Sequence, residues 1–129
     1  MSFAPLADMH THTDSSPDSS APIASMCEAA LRLGLPALAV TDHVEMTSFT
    51  ADGFDQSCER SYHQALVMRD RYAGRLEVLA GVELGEPIFD RDRSARLLAE
   101  HDYDFVLGSI HNLEDGVDYF HYDYASADI

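Results

Sequence analysis

No lysine occurs in these 129 residues, and all eight basic residues are arginine. Against 23 aspartates and glutamates they leave a formal charge of −15. So acidic a field repels nucleic-acid phosphates and anionic membrane surfaces, and neither is expected as a partner. Bound divalent cations would offset part of it. A solubilising surface from an acidic, arginine-biased proteome accounts for it equally well. Cysteine is scarce too: Cys27 and Cys58 lack zinc-type spacing and no secretory signal accompanies them, so they read as reduced thiols of a cytoplasmic protein. No run of about 18 apolar residues is present, and no membrane span is expected. Repeats, low-complexity tracts and interdomain linkers are missing as well. The length and the 46% apolar content suit one domain with a real core.

What the chain does have begins at Leu6-Ala7-Asp8-Met9-His10-Thr11-His12-Thr13-Asp14. This reads as a short strand. Side chains alternate along a strand, so Asp8, His10 and His12 share one face. Two imidazoles at a strand end can grip one metal ion, and a carboxylate two residues earlier can orient a ring. Ser15 to Ser20 forms a loop, with Ser19 or Ser20 as the cap of a helix over Ala21 to Leu33 that Gly34 ends. The apolar run Leu35 to Thr41 reads as a strand buried on both faces, ending in Asp42-His43. Val44 to Asp52 is a loop and Gln56 to Tyr72 a second helix. Leu76 to Glu83 is a third strand, ending in a carboxylate. A third helix spans Asp90 to Ala99, and a fourth strand, Tyr103 to His111, ends in a histidine.

Four strands alternating with three helices argue for parallel strands joined by right-handed crossovers. In such α/β folds the active site lies at the C-terminal ends of the strands. His10, His12, His43, Glu83 and His111 all fall there, which predicts a shared metal site. His63, mid-helix, reads as solvated. His101, at a helix end where a cation is favoured, reads as structural. His121 is a weaker candidate for the substrate pocket. No serine or cysteine stands out as a nucleophile.

His10-Thr11-His12, Asp18, Thr41-Asp42-His43, Gly81-Val82-Glu83 and Gly108-Ser109-Ile110-His111 together resemble the PHP (polymerase and histidinol phosphatase) superfamily, in order and rough spacing over essentially the whole chain. The resemblance implies a distorted TIM-like (β/α)7 barrel carrying two or three divalent ions, Zn, Mn or Fe. Residues 1–129 would form its N-terminal four β/α units as one domain. Carried over by motif, His10 and His12 bind one ion, Glu83 bridges it to a second bound by His111, and Asp18 with His43 binds a third. Asp8 supports a ligand from behind. Glu45 lies at the same edge without an assigned role.

The His12-to-Asp18 spacing, and Gly108 to Asn112 followed by Asp115 to Tyr119, are similar to histidinol-phosphate phosphatases. The longer loop with an Asp-Gly pair found in polymerase PHP domains is absent. The implied reaction is hydrolysis of a small phosphate monoester, L-histidinol phosphate to L-histidinol and phosphate, in histidine biosynthesis. Clustered ions neutralise the phosphoryl oxygens and lower the pKa of a bound water, the nucleophile, from about 15.7 towards 7. The alternatives are a PHP-type exonuclease or nucleotide phosphoesterase, and an inactive metal-binding fragment. An amidohydrolase shares the opening His-x-His, but many bridge their ions with a carbamylated lysine.

Members of the superfamily are longer. The resemblance implies that a later metal-binding histidine, an Asp-x-His pair and basic phosphate-gripping residues are missing here. A half barrel would leave the edge of the strand ending at His111 open. Self-association through that edge, and little activity for residues 1–129 alone, are therefore expected.

Overall fold

The computed structural model describes residues 6–126. Strands β1 (Asp8–Thr11), β2 (Ala37–Val40), β3 (His43–Glu45), β4 (Glu77–Gly85) and β5 (Phe105–Ser109) form one parallel sheet. Helices α1 (Ile23–Leu33), α2 (Phe54–Arg71) and α3 (Arg91–Glu100) connect them, and a 3-10 turn spans Tyr119–His121.

The expected four strands appear as five because the second is interrupted. Ala37 pairs with Glu77 and His43 with Glu83, so the offset is the same on both sides of the break. β2 and β3 are therefore one strand along a single edge of β4. The interruption at Thr41-Asp42 is slight: Thr41 N–H donates to Thr11 O, and Asp42 O accepts from Glu83 N–H. β5 lies on the other edge of β4. The spatial order follows the chain order, as a β/α barrel lays down its strands. Val44 to Asp52 is accordingly not wholly loop: Val44 and Glu45 belong to the sheet, and both are buried.

One sheet face packs under the helices. Val78, Ala80, Val82 and Leu84 of β4 and Leu38, Val40 and Val44 meet Cys27 and Ala30 of α1, Phe54, Cys58 and Ala65 of α2 and Leu97 of α3. By alternation Glu83 and Gly85, His43 and Glu45 look out of the other face. Gly81 allows close strand approach there, since a Cβ on it would sit 2.8 Å from Phe105 O and 2.9 Å from Val40 O. The helix-side face of β5 is bare: Val106 and Ile110 are 42% and 41% exposed.

Helix α1 starts two residues later than expected, and neither Ser19 nor Ser20 caps it. The residue before a proline is pushed out of the helical region, so Ala21 cannot lie in the helix and Pro22 takes the cap position at φ −60°. Ser19 Oγ donates instead to His12 O, closing the loop that carries Asp18. Among the described residues no helix is long and apolar enough to cross a membrane.

Candidate metal centre

The strand ends and the loop that follows β1 bring the six expected residues together. Glu83 is central, its side chain only 4% exposed. Its Oε2 lies 3.0 Å from His10 Nε2, 2.9 Å from His12 Nε2 and 3.5 Å from His43 Nδ1. Its Oε1 lies 3.2 Å from His111 Nε2. Asp18 Oδ2 is 2.9 Å from His12 Nδ1 and 3.5 Å from His43 Nε2. Glu45 Oε1 completes the group, 2.8 Å from His43 Nδ1 and 3.0 Å from His111 Nδ1.

The donor set fits divalent ions. His10 Nε2 and His12 Nε2 face each other at 3.1 Å while both approach one Glu83 oxygen. Two N–H groups so placed would repel, whereas donors around a zinc-like ion at bond lengths of about 2.0–2.1 Å sit at comparable separations. Three groups of convergent donors occur among the described residues: His10–His12–Glu83, His12–Asp18–His43 and His43–Glu45–His111. His12 and His43 each belong to two, so the groups form one connected patch.

The electrostatics agree. Burial opposes ionisation of Glu45, but hydrogen bonds with His43, Glu86 and His111 outweigh it and hold the carboxyl at about 2. Burial likewise works against ionised Glu83, and His10, His43 and His111 overcome it, leaving it below the usual carboxylate range. Asp18 is also lowered, its burial outweighed by hydrogen bonds with His12 and Ser16. His43 is raised: burial disfavours its charge, and Glu45, Glu83 and Asp18 more than compensate. Glu86 moves upward, through burial first and then its hydrogen bond with Glu45.

Two expected residues stand apart. Asp8 is not brought to a ring; its carboxylate accepts from the backbone N–H of His10 at 3.3 Å. His121 is exposed and does not line the cavity beside the patch. That cavity, of about 500 Å³, is bounded by Asp18, His43, Glu45 and His111 together with Asp52, Phe54, Asp118 and Phe120. The remaining histidines lie elsewhere: His63 and His101 both pair with Glu59 on the helical layer.

Sequence reasoning left three carboxylates without a role. Glu45 was legible, two residues after His43 on a strand. Asp42 faces the helices, where it accepts from Thr13 N–H, Thr13 Oγ1 at 2.7 Å and Ser61 Oγ. It ties the end of β1 and the β2–β3 junction to α2. Glu86, buried just past β4, carried no signal.

A family model described as PHP domain matches residues 8–128. A probable histidinol-phosphatase from Deinococcus radiodurans is 28% identical over 111 residues, covering 84% of this chain and 43% of its own length. Among solved structures, histidinol phosphate phosphatase from Lactococcus lactis subsp. lactis, crystallised with zinc, L-histidinol and phosphate, superposes with a TM-score of 0.66 at 19% identity. That match covers 84% of this chain and 41% of the other, and at such identity it speaks to the fold. The chain thus spans about two fifths of the length of these relatives. With a family match running from the first strand through nearly all of the described residues, the chain belongs to the PHP-domain family.

Proposed function

We propose that this chain supplies the metal centre of a phosphoesterase that hydrolyses a small phosphate monoester, with L-histidinol phosphate as the substrate that fits best. The observation that carries this reading is the Glu83 carboxylate, whose two oxygens face histidines of different donor groups, as a carboxylate bridging two ions must. His10, His12 and Glu83 would hold one ion, and His111, Glu45 and Glu83 a second. Asp18 and His43 complete the patch. Bound there, divalent ions supply positive charge for phosphoryl oxygens and activate water near neutral pH.

The chain's own residues set the orientation. Asp18 and Glu45 aim the rings of His12, His43 and His111. Asp52 and Asp118 add negative charge around the cavity, where Phe54 and Phe120 offer apolar surface. An ester carrying a protonated amine and a flat ring, as histidinol phosphate does, matches that lining. A DNA strand, with a negative phosphodiester at every nucleotide and no cationic group, is repelled by the same carboxylates. Specificity constants for L-histidinol phosphate and single-stranded DNA, on one manganese- or zinc-loaded preparation of a longer protein containing this chain, test the reading. A clear preference for the monoester supports it, and a preference for DNA moves the protein to the exonuclease reading.

A second reading, a non-catalytic metal-binding portion, has one observation behind it. Among the described residues four carboxylates line the cavity, from Asp18, Glu45, Asp52 and Asp118, and no arginine does. Phosphate would depend for its neutralisation on the ions, with Ser48 and Asn112 as the neutral donors at hand. Metal binding without turnover of a generic phosphate ester would select this reading.

A further inference from the structure

Glu86 sits where a glutamate is costly. It is fully buried, and its φ of 51° makes it the one non-glycine residue in the left-handed region among the described residues. That conformation carries a strain that surrounding structure must offset. The offset is visible in its bonds. Oε1 accepts from the backbone N–H of His111 at 2.6 Å and of Asn112 at 2.8 Å. Oε2 accepts from Thr47 Oγ1 at 3.3 Å, and the Glu86 N–H donates to Ser109 O at 2.9 Å. One side chain thereby joins the segments that follow β3, β4 and β5.

The reason lies in the sheet. β4 ends at Gly85 and β5 at Ser109, so the N–H groups of His111 and Asn112 have no strand left to pair with. A buried donor without a partner is expensive, and Glu86 takes the place of the missing strand. Asn112 Nδ2, 3.4 Å from both Glu86 Oε1 and Glu45 Oε2, extends the link towards the patch.

Resting on the metal-centre reading above, we propose that Glu86 is a positioning residue. By clamping the His111–Asn112 turn it sets the His111 ring 3.0 Å from Glu45 and 3.2 Å from Glu83, and so builds the His43–Glu45–His111 side of the centre. It touches neither ion nor substrate. Its effect is local, since the His10–His12–Glu83 donors are carried by β1, the residue just after it and β4, and none of them lies on the turn.

Two measurements on Glu86→Ala, Glu86→Asp and Glu86→Gln test this. The first is amide hydrogen exchange in metal-free protein. Alanine should cost the His111 and Asn112 amides about tenfold or more of their protection while β2 and β4 are unchanged. Aspartate, one methylene shorter and milder for folding, should show the same local loss to a lesser degree, and glutamine should keep the protection. The second is zinc titration followed on the histidine ring resonances. The alanine variant should lose about 10–100-fold in affinity at His111 and His43, with His10 and His12 responding as in the parent.

Unchanged protection in the alanine and aspartate variants would overturn the proposal. So would equal loss of zinc affinity at all four rings, which marks a general structural role. If zinc shifts no ring in the parent protein, the metal-centre reading falls, while the exchange result still decides whether Glu86 holds the turn.

Discussion

Histidines meet carboxylates in two places in this molecule, and only one of them has the makings of a site. On the helical layer Glu59 of α2 lies 2.7 Å from His63 and 2.9 Å from His101. Its carboxyl is held below the usual range, first by the hydrogen bond with His63, so a shifted acidity alone does not single out the strand-end patch. Each ring there meets a different Glu59 oxygen, and one proton satisfies each contact. Glu59 and His63 are more than half exposed, and His101 stacks on Tyr62 with centroids 4.1 Å apart. At the strand ends several rings crowd the same buried oxygen, and ring nitrogens face one another with no proton arrangement that satisfies them all. Convergence of lone pairs, rather than the company of histidines and acids, marks the place for a cation.

The largest expected effect comes from removing the shared oxygen's charge. Glu83→Gln keeps the shape but loses the anion between the rings, so in a longer protein containing this chain bound metal should fall by at least one equivalent and phosphatase rate by orders of magnitude. Glu59→Gln, the matched change on the helical layer, should leave both unaltered. Metal analysis and turnover on the two variants side by side would break the comparison if they behaved alike.

Gly85→Ala comes next. A Cβ there would overlap the Glu45 carboxylate, which occupies the space Gly85 leaves open. Displacing Glu45 should weaken metal binding about 10–100-fold, read by calorimetric titration, with the fold retained.

Changing pH should separate the metal-free and metal-loaded patch. A proton and an ion compete for His43, so zinc affinity should fall as pH drops through its raised range. In the metal-free protein the sign is opposite for stability. The raised His43 contributes fully below its ordinary value of 6.5 and loses that contribution as pH rises through the folded value. Glu45, depressed to about 2, contributes above its ordinary 4.5 and loses that contribution as pH falls towards 2. Metal-free stability from the patch should therefore peak between 4.5 and 6.5, and zinc should move the optimum upward. Melting temperatures across pH, with zinc and with chelator, would show it.

The smallest effect on the chemistry, though not on folding, belongs to Asp42→Ala. It removes the acceptor for Thr13 and Ser61 on the helix side and should cost about 2–4 kcal/mol in denaturant unfolding. Metal stoichiometry should be unchanged at temperatures where the variant is folded.

The contrast also shows what a sequence can and cannot reveal. Alternating apolar runs and helical stripes made the β/α order legible; the strand ends named five residues and the family resemblance a sixth, Asp18, and the structure gathers all six into one patch. Glu45 was within reach of the same alternation, but Val44 onward read as loop because a three-residue strand behind a short interruption has no apolar run of its own. Asp42 and His43 are neighbours in sequence and opposite in role, and only the face each takes on the strand separates them. Glu86 had no local signal: its place depends on β4 and β5 ending level, at the paired Gly85 and Ser109, a fact of register between strands more than twenty residues apart. His63 and His101 illustrate the converse, since their pairing with Glu59 arises from how α2 meets the end of α3.

The most direct test of the central claim is anomalous diffraction from crystals grown with manganese or zinc, collected at the metal's absorption edge. The account predicts ions within about 2.0–2.2 Å of Glu83, at least one also bound by His10 and His12, and its two oxygens on different ions. Anomalous density at Glu59 and none at Glu83 would contradict it.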